Sequence, residues 1–523
     1  MLTLANLLRA TAQSHGHRVA IRMDDAIWTW DEYLERIART GSMLRGLGLT
    51  PGRRFGILAR NSVPQAQLLN AGYWAGVVPV PLNFRLAAPE IAQMLDDAHC
   101  DVVFVDNALA AMLDAPALAR WRERAVMLPV DAPAAPGWLA FDALVADAGP
   151  MPAHESHEDD DAIVLFTGGT TGRSKGVRLT HRNVVSNALQ LARVMEVDEN
   201  DVYLHVSPMF HSTDLKATVV TMYGGGHTYL SDFSVEGVLR AAARHRVTIL
   251  SLVPTMIVRV LREGRLAEHD LSSVRLVSYG TSPIDEGVLR EAMRAFAGVG
   301  FHQCYGLTET SPLLAILDQA SHRLALADRP ELLRAAGRPL PGVDMRFVDD
   351  HGREVGRGEA GEIVVRGPQV SRGYLNAPEE NAKAFKGGWF HTGDIGRIDA
   401  DGYLHVLGRR KEMVITGGEN VYTREVECVL EDHPAVAEVA VVGVPDPQYG
   451  EALLAVIVPS GAAPAPEAMI AFCRGRLGGF KIPRRYQFVA QLPRTQLGKV
   501  RKNDLVQAYL SAAEQRGVEE TAT

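Results

Sequence analysis

Ten residues, TGGTTGRSKG at 167–176, follow directly on the apolar run AIVLF at 162–166, and they constrain this chain more than any other segment. Four glycines in ten positions let the backbone take positive φ and come close to a ligand, so that successive N–H groups form an anion-binding concavity. Gly168, Gly169 and Gly172 supply that freedom, Thr167, Thr170 and Thr171 add hydroxyl donors, and Lys175 adds a mobile cation. The ordinary nucleotide loop, G-x-x-x-x-G-K-[ST], is not what stands here. Lys175 follows Ser174 and precedes Gly176, so no hydroxyl sits after the lysine to hold Mg²⁺. A flexible Gly/Ser/Thr linker would share this composition. Linkers seldom lie between a buried-type strand and an amphipathic helix, however, and 180–193 reads as such a helix, with Val184, Val185, Ala188 and Leu191 on one face.

Further motifs follow in order: PMFH at 208–211, YGTSP at 279–283, YGLTET at 305–310, WFHTGD at 389–394, GRRK at 408–411 and PRTQLGK at 493–499. With the glycine loop, this series resembles the adenylate-forming superfamily of acyl-CoA synthetases, luciferases and adenylation domains. The loop of that family reads roughly [YF]TSGTTGxPKG. Gly168 stands where the pattern has Ser, which removes one phosphate donor, and Ser174 stands where it has Pro.

The resemblance implies a reaction in which a carboxylate attacks the α-phosphate of ATP and pyrophosphate leaves. Such a site must overcome like-charge repulsion, so it needs a metal, cationic groups and a hold on the ribose. Glu309 is a suitable hard ligand for Mg²⁺, which takes one or two carboxylates and keeps waters and phosphate oxygens besides. Asp394 could accept both ribose hydroxyls; alone in its T-G-D-I-G turn it would read as an Asx-turn residue, and its place in the series decides otherwise. Tyr305 fits a platform for adenine, next to Gly306, with Thr308 in reach of the α-phosphate and Gly280, Thr281 and Ser282 across the base. Arg409 belongs with the nucleotide-binding set. His211 is implied to gate the route between the phosphate loop and the acyl pocket, without a part in proton transfer.

Lys499 sits in a Pro/Gly loop, and every charged residue from 474 to 502 is basic, as expected of a stretch that meets a polyanion. By resemblance Lys499 bridges the attacking carboxylate and the α-phosphate, contributing charge and orientation. A net charge of −8 over the whole chain, a pI near 6.1 and the lack of an aromatic-interleaved basic motif speak against nucleic acid as the partner. The phosphates of ATP and CoA suit the patch better.

At 523 residues, with 47% hydrophobic composition, the chain exceeds one core and should divide into domains. Apolar runs at 102–105, 248–253 and 274–278 alternate with Ala/Leu/Arg helices, the pattern of an α/β fold with doubly wound parallel sheets. From about 336 to 406 short strands split by Asp-Asp, His-Gly, Arg-Gly and Asp-Gly turns predict a small β-barrel-like subdomain. Residues 1–410 are thus expected to form the N-terminal domain with the ATP and acyl sites, and 411–523 a small α+β lid. In the lid, 414–421 reads strand, glycine turn, strand, then 423–431 reads helix and 436–444 strand. Lys411, two past Arg409, occupies the family's hinge position. A rotating lid would offer Lys499 first and Gly417-Gly418 second, the glycines letting a pantetheine arm pass close to backbone. A plain hairpin turn would also be served by Gly-Gly.

The four cysteines, at 100, 304, 428 and 473, have no metal-ligand spacing and suggest no disulfide framework. The N-terminus has no basic start followed by an apolar core, the C-terminal EETAT is not a peroxisomal tripeptide, and the stretch 68–84 is interrupted by Asn70, Pro79 and Pro81. A cytoplasmic protein without a membrane span, acting as monomer or homodimer, is expected.

CoA is the expected acceptor, because ITGGENVY at 415–422 resembles CoA ligases and no carrier domain is fused on. A ligase that loads a separate carrier protein, or a catalytically silent nucleotide-binding sensor of the same fold, are the other readings. By family geometry the acyl pocket is lined near 211–218, 253–255 and 279–280 and by the residue before Tyr305. That residue is commonly glycine in long-chain ligases and is Cys304 here, so a medium-chain fatty or aromatic acid is expected. Asp214 and Lys216, unusual charges close by, are expected to pair with each other on the surface, recognition of a polar substrate being the other reading.

Overall fold

The computed structural model describes the chain except for residues 25, 131–136, 168–173, 283, 417–418, 447–448, 475, 496–497 and 522–523. By contacts the chain divides into two units, the first comprising Met1–Thr281, Val288–Asp344 and Val365–Phe390, the second Ser282–Gly287, Met345–Val364 and His391–Thr523.

In the first unit the apolar runs become two open sheets. A five-stranded sheet is ordered Val78–Pro81, Arg54–Leu58, Cys100–Asp106, Ala125–Leu128, Leu139–Ala140, and its pairings are parallel throughout. Pro79 and Pro81 stand in its edge strand, where a missing N–H costs no ladder bond to an outer neighbour. The run 68–84 therefore folds as the end of the buried helix Val63–Ala75, a left-handed Gly76 (φ +70°) and this strand. Among the described residues no helix is long and apolar enough to cross a membrane.

The second sheet has nine strands, ordered Arg338–Pro339, Ala315–Leu317, Gly300–Tyr305, Leu276–Gly280, Ile249–Leu252, Val202–His205, Gly226–Tyr229, Val19–Arg22, Ile27–Thr29. Its middle, from Gly300–Tyr305 to Val19–Arg22, is parallel, and antiparallel strands close both sides. The fold is thus α/β with parallel sheets, as the alternation of strand and helix signals predicts.

The glycine loop is placed differently from expectation. Instead of a strand followed by a helix, the residues on its two sides pair as antiparallel strands, Asp161–Thr167 with Lys175–Thr180, and the helix His181–Met195 begins only after the second strand. Thr180 caps that helix, its hydroxyl accepting from the Asn183 N–H at 3.2 Å. The short Lys175–Thr180 strand is buried at Gly176, Val177, Leu179 and Thr180 without a regular alternation, and a helix pattern starting at 180 hides it.

A five-stranded sheet is built from Asp344–Val348, Gly361–Arg366, Trp389–Ile398, Phe385–Lys386 and Leu404–Arg409. The division between the units runs through three of these strands.

The C-terminal part of the second unit holds its own mixed sheet: Glu419–Val421, Val414–Thr416, Gly450–Pro459 and Val436–Asp446, with Arg485–Phe488 added in parallel to Gly450–Pro459. Alternation along the two long strands sorts their side chains onto two faces. Val441, Leu453, Ala455 and Ile457 pack with Val426 and Leu430 of helix Thr423–Glu431 and with Met469 and Cys473 of helix Pro466–Cys473. Ala440, Val442, Leu454 and Val456 pack with Leu505 of helix Lys502–Thr521. Each face is covered by helix, so neither can be polar.

Candidate functional site

In the first unit, register pins the ends of the glycine loop. Thr167 pairs with Lys175 across the hairpin, so the loop leaves and re-enters the fold at one place. Gly168, Gly169, Thr170, Thr171 and Gly172 lie outside the described residues. The Lys175 ammonium stands 5.2 Å from the centre of the Tyr374 ring, a cation–π arrangement. The Tyr374 hydroxyl in turn donates to Glu309 Oε1 at 2.8 Å. Glu309 is 8% exposed, and its carbonyl accepts the Ser371 N–H at 2.8 Å, so backbone and side chain are both held. Tyr374 is a residue that sequence reasoning missed. The glycine and aromatic of SRGY at 371–374 were its signal, but nothing local links it to a carboxylate 65 residues away.

Thr308 and Glu309 lie on the one-turn helix Thr308–Thr310, immediately after the strand that ends in Tyr305. The Thr308 hydroxyl is 3.1 Å from that of Ser212, which joins this turn to the segment following His211. His211 precedes the short helix Ser212–Ala217, and its ring centre lies 4.4 Å from that of Phe210. Tyr305 is half-buried. Gly306 and Gly280 are required for close approach: a Cβ at Gly306 would collide with the Pro312 carbonyl, and one at Gly280 with the Cys304 carbonyl. Thr281 takes φ +73°, uncommon for a β-branched residue, and its buried hydroxyl has no partner among the described residues. Ser282 follows it as the first residue of the second unit.

Asp214 and Lys216 do not form the expected surface pair. They are 8% and 2% exposed, and each has a different partner. The Asp214 oxygens stand 2.8 and 3.0 Å from His205 Nδ1, and His205 Nε2 is 3.0 Å from His227 Nδ1. Lys216 Nζ donates to Ser278 Oγ at 2.9 Å, and Ser278 Oγ lies 3.2 Å from Cys304 Sγ. Burial lowers the Lys216 pKa, opposed by Cys304 and Asp214, and burial with the neighbouring His205 holds His227 well below the ordinary histidine value.

In the second unit Asp394 pairs in register with Arg409 across two adjacent strands, and Arg409 Nε meets its Oδ1 at 2.7 Å. Asp394 is 4% exposed. Arg410 reaches Glu362 at 2.9 Å and Asp350 at 2.7 Å, and His391 Nδ1 is 3.0 Å from the same Glu362 oxygen. Lys411 is exposed, and burial of its amine lowers its pKa, with Arg409 next in effect.

Lys499 also lies near this group. Crowding of protein around its amine lowers its pKa, Arg409 adds to the lowering, and Asp394 and Glu412 oppose it. The residue as a whole stays exposed, so solvent screens these effects. Gly417 and Gly418 lie outside the described residues, between the paired strands Val414–Thr416 and Glu419–Val421.

The basic run is less open to a polyanion than its sequence implies. Lys481 pairs with Glu425, Arg485 with Asp446, Arg494 with Glu438, Arg501 with Asp504, and Lys502 with Glu427 and Glu412. Arg474, Arg476, Arg484 and Lys499 are without an ion pair among the described residues. The acids that neutralise the rest lie mostly far away in sequence.

The donor set fits Mg²⁺ better than a transition metal. Among the described residues there is no cluster of three or more His, Cys, Asp or Glu side chains able to cage an ion. One buried, oriented carboxylate such as Glu309 suits an ion that keeps waters and phosphate oxygens as its other ligands.

The model of the AMP-binding enzyme family matches residues 8–375, and that of the AMP-binding enzyme C-terminal domain matches 425–499. A feruloyl-CoA synthase of Amycolatopsis sp is 36% identical over 94% of this chain and 96% of its own. An indoleacetate–CoA ligase of Aromatoleum aromaticum is 34% identical over 94% of this chain and 95% of its own. The crystal structure of ATP-bound MatB from Rhodopseudomonas palustris superposes with a TM-score of 0.86 at 33% identity, covering 97% of this chain and 99% of that one. The chain belongs to the AMP-binding enzyme family, the adenylate-forming acyl-CoA synthetases.

Proposed function

We propose that this AMP-forming acyl-CoA ligase activates an aromatic or medium-chain carboxylic acid and passes it to CoA, with the residues named above in the following roles. ATP, Mg²⁺ and CoA are the family's co-reactants. In the first half-reaction a carboxylate oxygen of the acid attacks the α-phosphorus, the bond to the bridging oxygen breaks, and pyrophosphate leaves. In the second the CoA sulfur attacks the acyl carbonyl, the thiol proton is lost, and AMP leaves.

Glu309, fixed by Tyr374, would hold Mg²⁺. When bound, the ion supplies charge neutralisation of the phosphate oxygens. Lys175 and the glycine loop bind the outgoing pyrophosphate, Thr308 donates to the α-phosphate, and Tyr305 with Gly280 to Ser282 brackets the adenine. Asp394 accepts the ribose hydroxyls while Arg409 keeps it ionised and aimed. Lys499 lies between the two negative reactants, where an ammonium offsets their repulsion and sets their approach. Lys411 is the hinge, and Gly417 and Gly418 face CoA in the second half-reaction. His211 stands between the phosphate loop and the acyl pocket.

The observation that best supports this reading is the grouping of Lys499 with Asp394 and Arg409, since a ribose carboxylate and a transition-state cation must serve the same nucleotide. The names of relatives support the acid class: feruloyl and indoleacetate ligases are aromatic-acid enzymes, and Cys304 at the pocket floor disfavours a long chain.

The test is pyrophosphate release with ATP, Mg²⁺ and a panel of short, medium, long-chain and aromatic acids, with and without CoA. Multiple turnovers that require CoA, reduced about 10²- to 10³-fold in Lys499→Met, are expected. A single CoA-independent burst would instead make a carrier-protein thiol the acceptor.

A further inference from the structure

Lys499 stands on one of two short stretches, 493–495 and 498–501, that pair with each other. The Thr495 N–H donates to the Lys499 carbonyl at 2.7 Å and the Arg501 N–H to the Pro493 carbonyl at 2.8 Å, and Arg494 and Val500 form a β-bridge between them. The Lys499 N–H returns to the Thr495 hydroxyl at 3.2 Å. The Arg494 guanidinium donates to the Gly498 carbonyl at 2.7 Å and pairs with Glu438 of the strand Val436–Asp446. Such pairing fixes the shape of the segment but not its place. The one pair that leaves it, Arg494 with Glu438, has side chains 36% and 39% exposed and is correspondingly weak.

The stronger hold comes from Lys502, directly after the second stretch and first in the helix Lys502–Thr521. An ammonium has three donors. Lys502 Nζ lies 2.7 Å from Glu427 Oε1, 2.8 Å from Thr423 Oγ1 and 3.4 Å from Glu412 Oε2. Thr423 and Glu427 are both buried on the helix Thr423–Glu431, and the same Glu427 oxygen accepts the Val441 N–H at 2.9 Å. One ammonium thus joins two helices, the long strand through Glu427, and the turn Arg410–Glu412. All of these residues belong to the second unit.

A buried ion pair is a poor device for stability alone, since apolar side chains of the same volume often hold helices together as well. What it does is fix a point to within the length of a hydrogen bond. Lys499 and Lys502 are three residues apart, so their Cα atoms are at most about 10 Å from one another, and fixing the one confines the other. Glu412, at the far side of Lys502, follows the proposed hinge Lys411 and is also among the charges that bear on the Lys499 amine.

We infer that Lys502 is a positioning residue for adenylation: anchored on Glu427, Thr423 and Glu412, it sets the place of the paired segment that presents Lys499, and it acts on the reaction through Lys499 alone. This rests on the role proposed for Lys499 above. Displacing a reacting group by about 1 Å costs on the order of a hundredfold in rate, so the anchor controls the first half-reaction without touching its reactants. The second half-reaction, for which Lys499 is not proposed, does not depend on it.

The test uses the full-length enzyme, well below its thermal midpoint, with cinnamate, phenylacetate and octanoate as probes. Adenylation is read as acid-dependent exchange of pyrophosphate into ATP, and thioester formation as acyl-CoA made from the presynthesised acyl-adenylate. Lys502→Met should lower the kcat of exchange about ten- to a hundredfold with the KM for ATP and the rate of thioester formation each within about threefold, as for an interaction made only in the transition state. Lys502→Arg, which keeps the charge and reaches the same carboxylates, should recover most of the loss. In the Lys499→Met background, adding Lys502→Met should change exchange no further, because residues that act as a unit are not additive. Glu427→Gln is milder, keeps an acceptor for the Val441 N–H, and should show the same pattern at about three- to tenfold, so it carries the test if Lys502→Met does not fold. Loss of both half-reactions in step, or a further loss in the Lys499→Met background, would make Lys502 a structural residue and overturn the inference. Unchanged exchange in both Lys502→Met and Glu427→Gln would overturn it as well. An unmodified enzyme that shows no exchange with any of the three acids, or whose exchange is untouched by Lys499→Met, would remove the reading on which the inference rests.

Discussion

Glu309 and Asp394 are buried carboxylates one in each unit, and their holders differ in kind. Glu309 takes a neutral phenol at 2.8 Å, whereas Asp394 takes a guanidinium at 2.7 Å. A phenol orients a carboxylate and leaves its charge in place, which suits a group that must attract a cation. A guanidinium offsets the charge and leaves a rigid acceptor, which suits the proposed hydrogen bonding to ribose hydroxyls. The same functional group thus acquires two chemistries from its neighbour.

The comparison can be broken most severely at Glu309. Glu309→Gln keeps the shape and removes the charge, so pyrophosphate release should fall about 10²- to 10³-fold, and raising Mg²⁺ should not restore it. Full recovery at high Mg²⁺ would mean that another group holds the ion.

A smaller effect is expected where the charge is already offset. Arg409→Met removes the guanidinium that meets the buried Asp394 at 2.7 Å. Breaking a buried pair costs about 3–5 kcal/mol, but the Arg409 side chain is 40% exposed, so about 1–2 kcal/mol is the discounted expectation, read as a lower thermal midpoint. Adding Asp394→Asn should recover part of that midpoint, because the buried charge that Arg409 offset is then gone. If the double variant is less stable than the single one, the charge was not the cause.

The finest difference lies in the phenol. Tyr374→Phe should leave the maximal rate largely intact and raise the Mg²⁺ concentration for half-maximal rate by about tenfold, the scale of one hydrogen bond to a charged group. An unchanged Mg²⁺ requirement would show that Glu309 is oriented without it.

How much of this was legible in the sequence depends on the range of the interactions. The two short strands, the helix and the long strand of the C-terminal part read off 414–444 almost residue by residue, because hydrophobic period is local. The order of the site motifs was legible for the same reason. Partnerships across the chain were not. Glu309 with Tyr374, Lys216 with Ser278 and Arg485 with Asp446 join residues 65, 62 and 39 positions apart, and no pattern in either segment announces the other. The basic run at 474–502 therefore looked open, and Asp214 and Lys216, two residues apart, looked like a pair. The hairpin arm Lys175–Thr180 was missed because the helix signal behind it is stronger and the glycines before it carry no period.

The crowding of Gly280 against the Cys304 carbonyl has a consequence for redirecting this enzyme to new acids. Two neighbouring strands meet there with no room for a side chain, so variation at position 280 would pry the sheet apart before it altered selectivity. Cys304, on the adjoining strand, projects a side chain that can be exchanged without moving the main chain. A library built at 304, with 280 left alone, explores the proposed floor of the acyl pocket while the strands that carry it stay where they are.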